Sequence, residues 1–175
     1  VIIPFPNKKY QIIYADPPWE VNRGPDWNSN GPSKPLPYPT MSLEEINTLP
    51  VPSIADKNAH LYLWTINKYI KESYQVAESW GFKVSCMLTW CKPKHGIGIG
   101  GTFIQTTEHI LFCRKGTLTA NKRIDTTYFL QPRLAHSVKP AFFRDLIVSV
   151  SGDLPRIELF ARQKTEGWDV WGNEV

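Results

Sequence analysis

Cysteine is scarce in this chain, with three among 175 residues. Cys86, Cys91 and Cys113 are odd in number and none has C-x-x-C spacing, which excludes a disulfide framework. His60, His95, His109 and His136 are scattered as well, so no zinc cluster and no other metal site is expected. The chain also lacks any charge-free run of about 18 apolar residues and any signal-peptide pattern. Neither membrane spanning nor secretion is therefore expected, and the default is an intracellular setting, cytoplasm or nucleoid/nucleus. With 42% hydrophobic residues, residues 1–175 have room for one sheet and its covering helices, so a single domain without a separate target-recognition unit is expected. Net charge is low too, at +4, but it is unevenly spread. Lys92, Lys94, Arg114, Lys115, Lys122, Arg123 and Arg133 face only Glu108 and Asp125 over residues 92–133. Such a run is either a solvated face or a surface that follows phosphates.

Against these absences stands one dense local feature, Asp16-Pro17-Pro18-Trp19, which closes an apolar strand at residues 11–15. The four residues combine a carboxylate, two rigid residues and an aromatic ring. An exocyclic amine on adenine or cytosine is a weak nucleophile because its lone pair is delocalised into the ring. A catalyst must hold it by its two hydrogens and favour pyramidal geometry. The Asp16 carboxylate can accept one N–H and the Pro17 main-chain carbonyl the other. Consecutive prolines restrict the backbone and fix that carbonyl's direction, and preorganised acceptors need little reorganisation during reaction. Trp19 offers a face to an unstacked base, a contact worth ~1–3 kcal/mol in single-strand binders. The bland alternative is a strand ending in a proline-rich turn with a buried Trp.

The rest of the chain alternates strands and helices. Residues 20–42 are rich in proline and glycine and predict a long irregular segment. Ser42 predicts the cap of a short helix through Leu49, with Glu45 at the capping-box position. Residues 59–64 read as a buried strand. Tyr69, Ile70, Tyr74, Ala77 and Trp80 recur at helical spacing up to Gly81. Residues 82–91 and 108–114 predict two strands joined by a glycine-rich loop, followed by a basic, irregular stretch to Ala135. Phe142, Phe143, Leu146, Ile147 and Val150 mark a helix with Pro140 near its start. Strands at 156–160 and 168–175 complete the pattern. This alternation predicts an α/β sheet with helices on both faces. In such sheets ligands sit beyond the carboxyl ends of the strands, where Asp16 and Arg162 both fall. The run Gly96-Ile97-Gly98-Ile99-Gly100-Gly101 matches a dinucleotide-loop pattern, but residues 102–112 read as β-like, so no helix follows to receive a pyrophosphate.

Five stretches in order resemble the MT-A70 family of adenine-N6 methyltransferases: Asp16-Pro17-Pro18-Trp19; Tyr38-Pro39-Thr40-Met41-Ser42; Trp90 and Lys92; His136-Ser137-Val138-Lys139-Pro140; and Glu158-Leu159-Phe160-Ala161-Arg162 with Trp168, Gly172 and Asn173. The resemblance spans nearly the whole chain. It implies a Rossmann-like class I methyltransferase fold in permuted motif order, with the catalytic strand before the cofactor strand. It also implies S-adenosylmethionine as methyl donor, no metal, and catalytic residues Asp16, Pro17, Pro18 and Trp19. Asp16, Lys139, Phe160, Arg162 and Asn173 would bind the donor, with Lys139 on the methionine carboxylate, Phe160 and Arg162 on the adenosine moiety and Asn173 on ribose or adenine. Trp19, Tyr38, Trp90 and Lys92 would contact the nucleic acid, an unpaired or flipped adenine, with residues 20–39 and 96–105 as gates. DNA is the expected substrate, RNA the alternative, and a non-catalytic subunit a third reading. A homo- or hetero-dimer is a further implied arrangement. Among the residues themselves, Lys139 could instead be a surface cation, Arg162 and Asn173 turn caps, and Phe160 core.

Overall fold

The computed structural model describes residues 3–21, 38–93, 102–135 and 138–175. Among these residues the strands are β1 (Tyr10–Ala15), β2 (Ala55–Thr65), β3 (Lys83–Cys91), β4 (Thr107–Lys115), β5 (Tyr128–Leu130), β6 (Arg156–Leu159) and β7 (Asp169–Trp171). They form a single sheet in the order β5-β3-β4-β2-β1-β6-β7. All neighbouring pairs run parallel except those of β4, which is antiparallel to both β2 and β3. The result is a seven-stranded mixed sheet of the Rossmann-like methyltransferase kind, as the sequence predicts. Strand β1, which leads into Asp16, precedes β6 in the chain and lies beside it in the sheet.

Helices α1 (Leu43–Asn47), α2 (Ile70–Ser79) and α3 (Ala141–Ser151) cover the two faces. Ser42 caps α1 as its sequence requires: the Glu45 N–H donates to Ser42 Oγ at 3.2 Å and the Ser42 N–H to Glu45 Oε2 at 2.7 Å. Gly81, at φ +86°, follows α2 in a conformation that glycine adopts without the steric penalty of a Cβ. On one face Ile46 from α1 and Val76, Ala77 and Trp80 from α2 pack with Ile13, Leu61, Leu63, Leu111, Ile157 and Leu159. On the other, Phe143 and Ile147 from α3 pack with Ile12, Tyr14, Trp64, Trp90 and Phe129. Alternate residues of β1 thus enter opposite cores, which is the strand period of two. Arg144 of α3 forms a two-pronged ion pair with Glu158 of β6, both contacts 2.7 Å, and so ties the second helical layer to β6.

The elements differ from expectation in two places. Strand β5 lies within the stretch expected to be irregular; it has three residues and only Phe129 is buried, too short for a period to register. The last strand stops at Trp171 instead of Val175, and a turn carries the remainder.

His60 of β2 is buried with Nε2 2.8 Å from the Leu118 carbonyl, while Nδ1 has no hydrogen-bond partner. Nε2 must therefore carry the proton and donate it, leaving Nδ1 as a bare lone pair. Burial lowers the affinity of this imidazole for a second proton, and the nearby Arg114 adds to the effect. The unfolded chain then binds more protons than the folded one below the ordinary histidine value. His60 thus contributes stability that is present above about pH 6.5 and lost as pH falls through and below it. Denaturation midpoints across that range are expected to decline with acid, and His60→Gln to flatten the decline.

Candidate active site

The chain leaves β1 toward β2 on one side, and leaves β6 toward β7 on the other. The crevice beyond the carboxyl ends of β1 and β6 is therefore the topological switch point of the sheet, where α/β folds bind ligands. Asp16 follows β1 directly, and Phe160-Ala161-Arg162 follows β6 directly. The Asp16 N–H donates to the Leu159 carbonyl at 3.4 Å, so the two exits are stitched together. Next to them, the Ala161 N–H donates to the Trp171 carbonyl at 3.0 Å. A Cβ on Gly172 would stand 2.6 Å from the Ala161 carbonyl oxygen, so only glycine permits this close approach of the β6 and β7 exits. Phe160 sits at φ +61°, a conformation that costs a bulky residue energy and recurs at ligand sites. Its ring meets the edge of Trp171 at 5.4 Å. Arg162 lies with its guanidinium 5.0 Å from the Tyr38 ring centre and 3.8 Å from Glu174. Asn173 is exposed in the turn after β7.

The Asp16-Pro17-Pro18-Trp19 loop is held by its own backbone. The Trp19 N–H donates to the Pro17 carbonyl at 2.8 Å, and the Met41 N–H to the Pro18 carbonyl at 3.0 Å. The Pro17 carbonyl is thus engaged within the loop, and its second lone pair is the one left for an amine. Trp19 departs from the expectation of an open stacking plate. It is 5% exposed, stacks on Tyr69 at 5.3 Å, and donates through Nε1 to the Trp64 carbonyl at 3.1 Å. A ring with one face packed and its N–H used anchors the loop. The Tyr69 hydroxyl donates to the Glu20 carbonyl just beyond.

Trp90 likewise differs from its expected place beside the base. It is 3% exposed, packs edge-on against Trp64 and Phe143, and donates to the Gln131 carbonyl at 2.9 Å. Its position in β3 turns it into the core under α3. Lys92 is at the rim, 4.8 Å over the Trp90 ring and 2.6 Å from Glu108. The gate segments expected at 20–39 and 96–105 fall largely outside the described residues, as do His136 and Ser137.

Lys139, immediately before α3, is no surface cation. Its side chain is 10% exposed, lies 2.9 Å from Glu108 and 3.5 Å from Asp16, and sits 5.0 Å over the Trp64 ring. Lys92, Glu108, Lys139 and Asp16 thus form a chain of alternating charge along the crest. Burial disfavours the Lys139 ammonium, but Asp16 and Glu108 outweigh it and hold its proton affinity above the ordinary lysine value. Burial likewise pushes Glu108 up, and Lys139 and Lys92 outweigh it to bring the carboxyl below the usual range. Asp16 goes the other way. Burial raises it, Lys139 opposes, and the Glu108 charge adds to the rise. Its side chain is 26% exposed, which aims the less acidic carboxylate of the pair at the open crevice.

Glu108 is the member of this buried charge cluster that the sequence does not single out. A signal existed: a carboxylate just before the apolar run Ile110–Cys113 of a strand. Its importance depends on β4 running antiparallel, which brings that start to the same crest as the ends of its neighbours. His109, beside it, is fixed by a directed network. Asn67 Nδ2 lies 3.3 Å from the Thr107 carbonyl, which leaves Asn67 Oδ1 to accept from His109 Nε2 at 3.0 Å and Nδ1 to meet the Thr89 hydroxyl at 3.0 Å. Among the described residues no group of three or more His, Cys, Asp or Glu is placed to hold a metal, and no helix is long and apolar enough to cross a membrane.

The MT-A70 family model matches residues 10–174. The chain is 34% identical over 187 aligned residues to the type II methyltransferase M.MunI of Mycoplasma sp, covering 97% of this chain and 79% of that protein. It is 28% identical to a putative N(6)-adenosine-methyltransferase MT-A70-like protein of Medicago truncatula, covering 95% of this chain and 26% of the relative. It is 27% identical to the N(6)-adenine-specific methyltransferase METTL4 of Homo sapiens, covering 97% and 38%. The chain therefore spans most of the first relative and well under half of the other two. A family model that matches from the first strand to the turn after the last accounts for both halves of the crevice, and the chain belongs to the MT-A70 family.

Proposed function

We propose that this chain transfers a methyl group from S-adenosylmethionine to the exocyclic N6 amine of adenine in DNA. The observation that carries the reading is the position of Asp16 at the switch point, directly beside the Phe160–Arg162 exit of β6. Family membership supports the chemistry. Of the three relatives named, the type II methyltransferase is the one matched over most of its own length, which favours DNA over RNA.

The residues fit the methyl donor. A buried cation, Lys139, suits a carboxylate; the aromatic Phe160 suits a purine face; and Arg162 and Asn173 suit ribose hydroxyls. Gly172 lets the β7 exit lie against the Phe160–Ala161 backbone, where a Cβ would collide. When bound, the donor supplies an electrophilic sulfonium methyl. The chain's own residues do the rest. The Asp16 carboxylate accepts one amine hydrogen and the Pro17 carbonyl the second, turning the nitrogen lone pair out of the ring. Burial raises the Asp16 carboxyl while Lys139 and Arg162 favour its charged form, and the carboxylate can take the proton that the amine sheds after the new bond forms. Trp19 keeps the loop in place from beneath. The adenine must leave any duplex stack to reach Asp16, so unpaired sites are easier substrates.

Transfer of a labelled methyl group to matched single-stranded DNA, duplex DNA and RNA, followed by nucleoside identification, tests this reading. N6-methyladenine from at least one DNA substrate is expected. Product confined to RNA would reassign the substrate. A chain that binds no S-adenosylmethionine by calorimetry and makes no product is a non-catalytic subunit.

A further inference from the structure

An open cleft of about 510 Å³ lies between Asn67 and residues 102–107, within the ~300–1,000 Å³ range of small-molecule sites. We propose that it is a subsite for a nucleobase flanking the target nucleotide, with Phe103 as its stacking face. The inference rests on the nucleic-acid reading above.

Phe103 is 85% exposed and its neighbour Ile104 is 42% exposed. A whole aromatic ring in water forgoes the burial that would stabilise the fold, and such exposure marks binding surfaces. The segment that carries it is tied down at three points. The Lys92 N–H donates to the Thr106 carbonyl at 2.8 Å. Arg133 donates to the Gln105 carbonyl at 3.4 Å and Asn67 to the Thr107 carbonyl at 3.3 Å. The ring is thus presented on an anchored base.

The chemistry around the ring matches a base better than a peptide. The cleft is lined by hydroxyls and amides, from Asn67, Thr102, Gln105, Thr106 and Thr107, beside the aromatic and aliphatic side chains of Phe103 and Ile104, with no carboxylate among them. Donors and acceptors beside a π face suit the edge and plane of a heterocycle. Arg133, adjacent, suits the phosphate that links it to the next nucleotide.

Position joins the cleft to the reaction. Asn67 begins the 3-10 turn Asn67–Tyr69, and Tyr69 stacks on Trp19 and bonds Glu20 at the other end. β4 begins here while β2 and β1 end here, and the three are consecutive in the sheet, so the Asn67 and Thr107 rim of the cleft stands on the same crest as Asp16. A strand whose adenine reaches Asp16 can therefore set its neighbour on Phe103.

The test uses single-stranded oligodeoxynucleotides with one adenine, flanked by a base or by an abasic site on either side. Binding is followed by anisotropy and methyl transfer at saturating donor. On one side, loss of the flanking base is expected to weaken binding roughly tenfold, the order of a single stacking contact. Phe103→Ala should reproduce that loss on the intact strand, add nothing on the abasic one, and raise KM with kcat little changed. Phe103→Trp should restore the difference. Equal effects of Phe103→Ala on intact and abasic strands would overturn the subsite. So would unchanged strand binding accompanied by loss of self-association in sedimentation, which would assign Phe103 to a protein interface. Strand binding and methylation indifferent to either flank remove the subsite alone; failure to bind or methylate any strand removes the function reading with it.

Discussion

Asp16→Ala is expected to lower kcat by a factor on the order of 10²–10³, the loss seen when one preorganised polar group is removed from a transition state, while S-adenosylmethionine binding is largely retained. The expectation follows from what the substitution leaves intact. Lys139 keeps Glu108 at 2.9 Å, so its charge stays paired and the crest is not disrupted. Trp19 keeps its stack on Tyr69 and its bond to Trp64, so the loop stays closed. Only the acceptor for the amine hydrogen goes. Single-turnover methyl transfer and calorimetry on the same protein separate the two terms. Wild-type activity unchanged in this variant would remove Asp16 from the mechanism. The pH profile gives a second reading. Burial and the Glu108 charge raise the Asp16 carboxyl, and its protonated form cannot accept the amine hydrogen. The acid limb of kcat should therefore lie above the ordinary carboxylate value of about 4, and disappear in Asp16→Asn.

How much of this is legible in the sequence depends on the range of the interaction concerned. The capping box at Ser42 and Glu45, the end of α2 at Gly81 and the apolar run of β1 are set within a few residues and stand where the sequence puts them. Of the α2 stripe, Ala77 and Trp80 are core, whereas Tyr74 is exposed, with Val76 buried instead. Asp16, Lys139, Phe160 and Arg162 come together because strand ends share one crest, a rule of α/β sheets that needs only strand order. What the sequence could not supply was direction and depth. Trp19 and Trp90 are aromatic residues at the right addresses, but whether a ring faces solvent or core depends on which neighbours cover it, and Tyr69, Trp64 and Phe143 come from distant segments. Strand β5 was invisible because one buried residue in three carries no period. Glu108 was read as part of a charge tally since nothing local says that β4 runs against its neighbours.

Glu108 also decides what happens when Lys139 is removed. Lys139→Met should abolish donor binding and destabilise the fold by about 3–5 kcal/mol, the cost of leaving buried charges without a partner. For a chain of this size that is a fall in melting temperature of about 6–20 °C. The side chains of Lys139 and Glu108 are 10% and 16% exposed, so water cannot compensate for either. Among the described residues Glu108 then keeps only Lys92, at 2.6 Å. Adding Glu108→Gln therefore removes a half-paired buried carboxylate and should recover part of the stability while leaving donor binding lost, which separates the structural from the ligand-binding role of one ammonium. The pH dependence of stability makes the same point. Glu108 is lowered in the fold, so its contribution is present above its unfolded value of about 4.3 and is lost as pH falls through the folded one. Lys139 is raised, so its contribution is present below about 10.4 and is lost as pH rises through its folded value. The pair therefore supports a plateau with a limb at each end. The Lys139→Met, Glu108→Gln double variant, compared with wild type by denaturation across that range, should show both limbs flattened. A double variant as unstable as Lys139→Met alone would mean that methionine at this position fails to pack under Trp64, and that the ion pair contributes little.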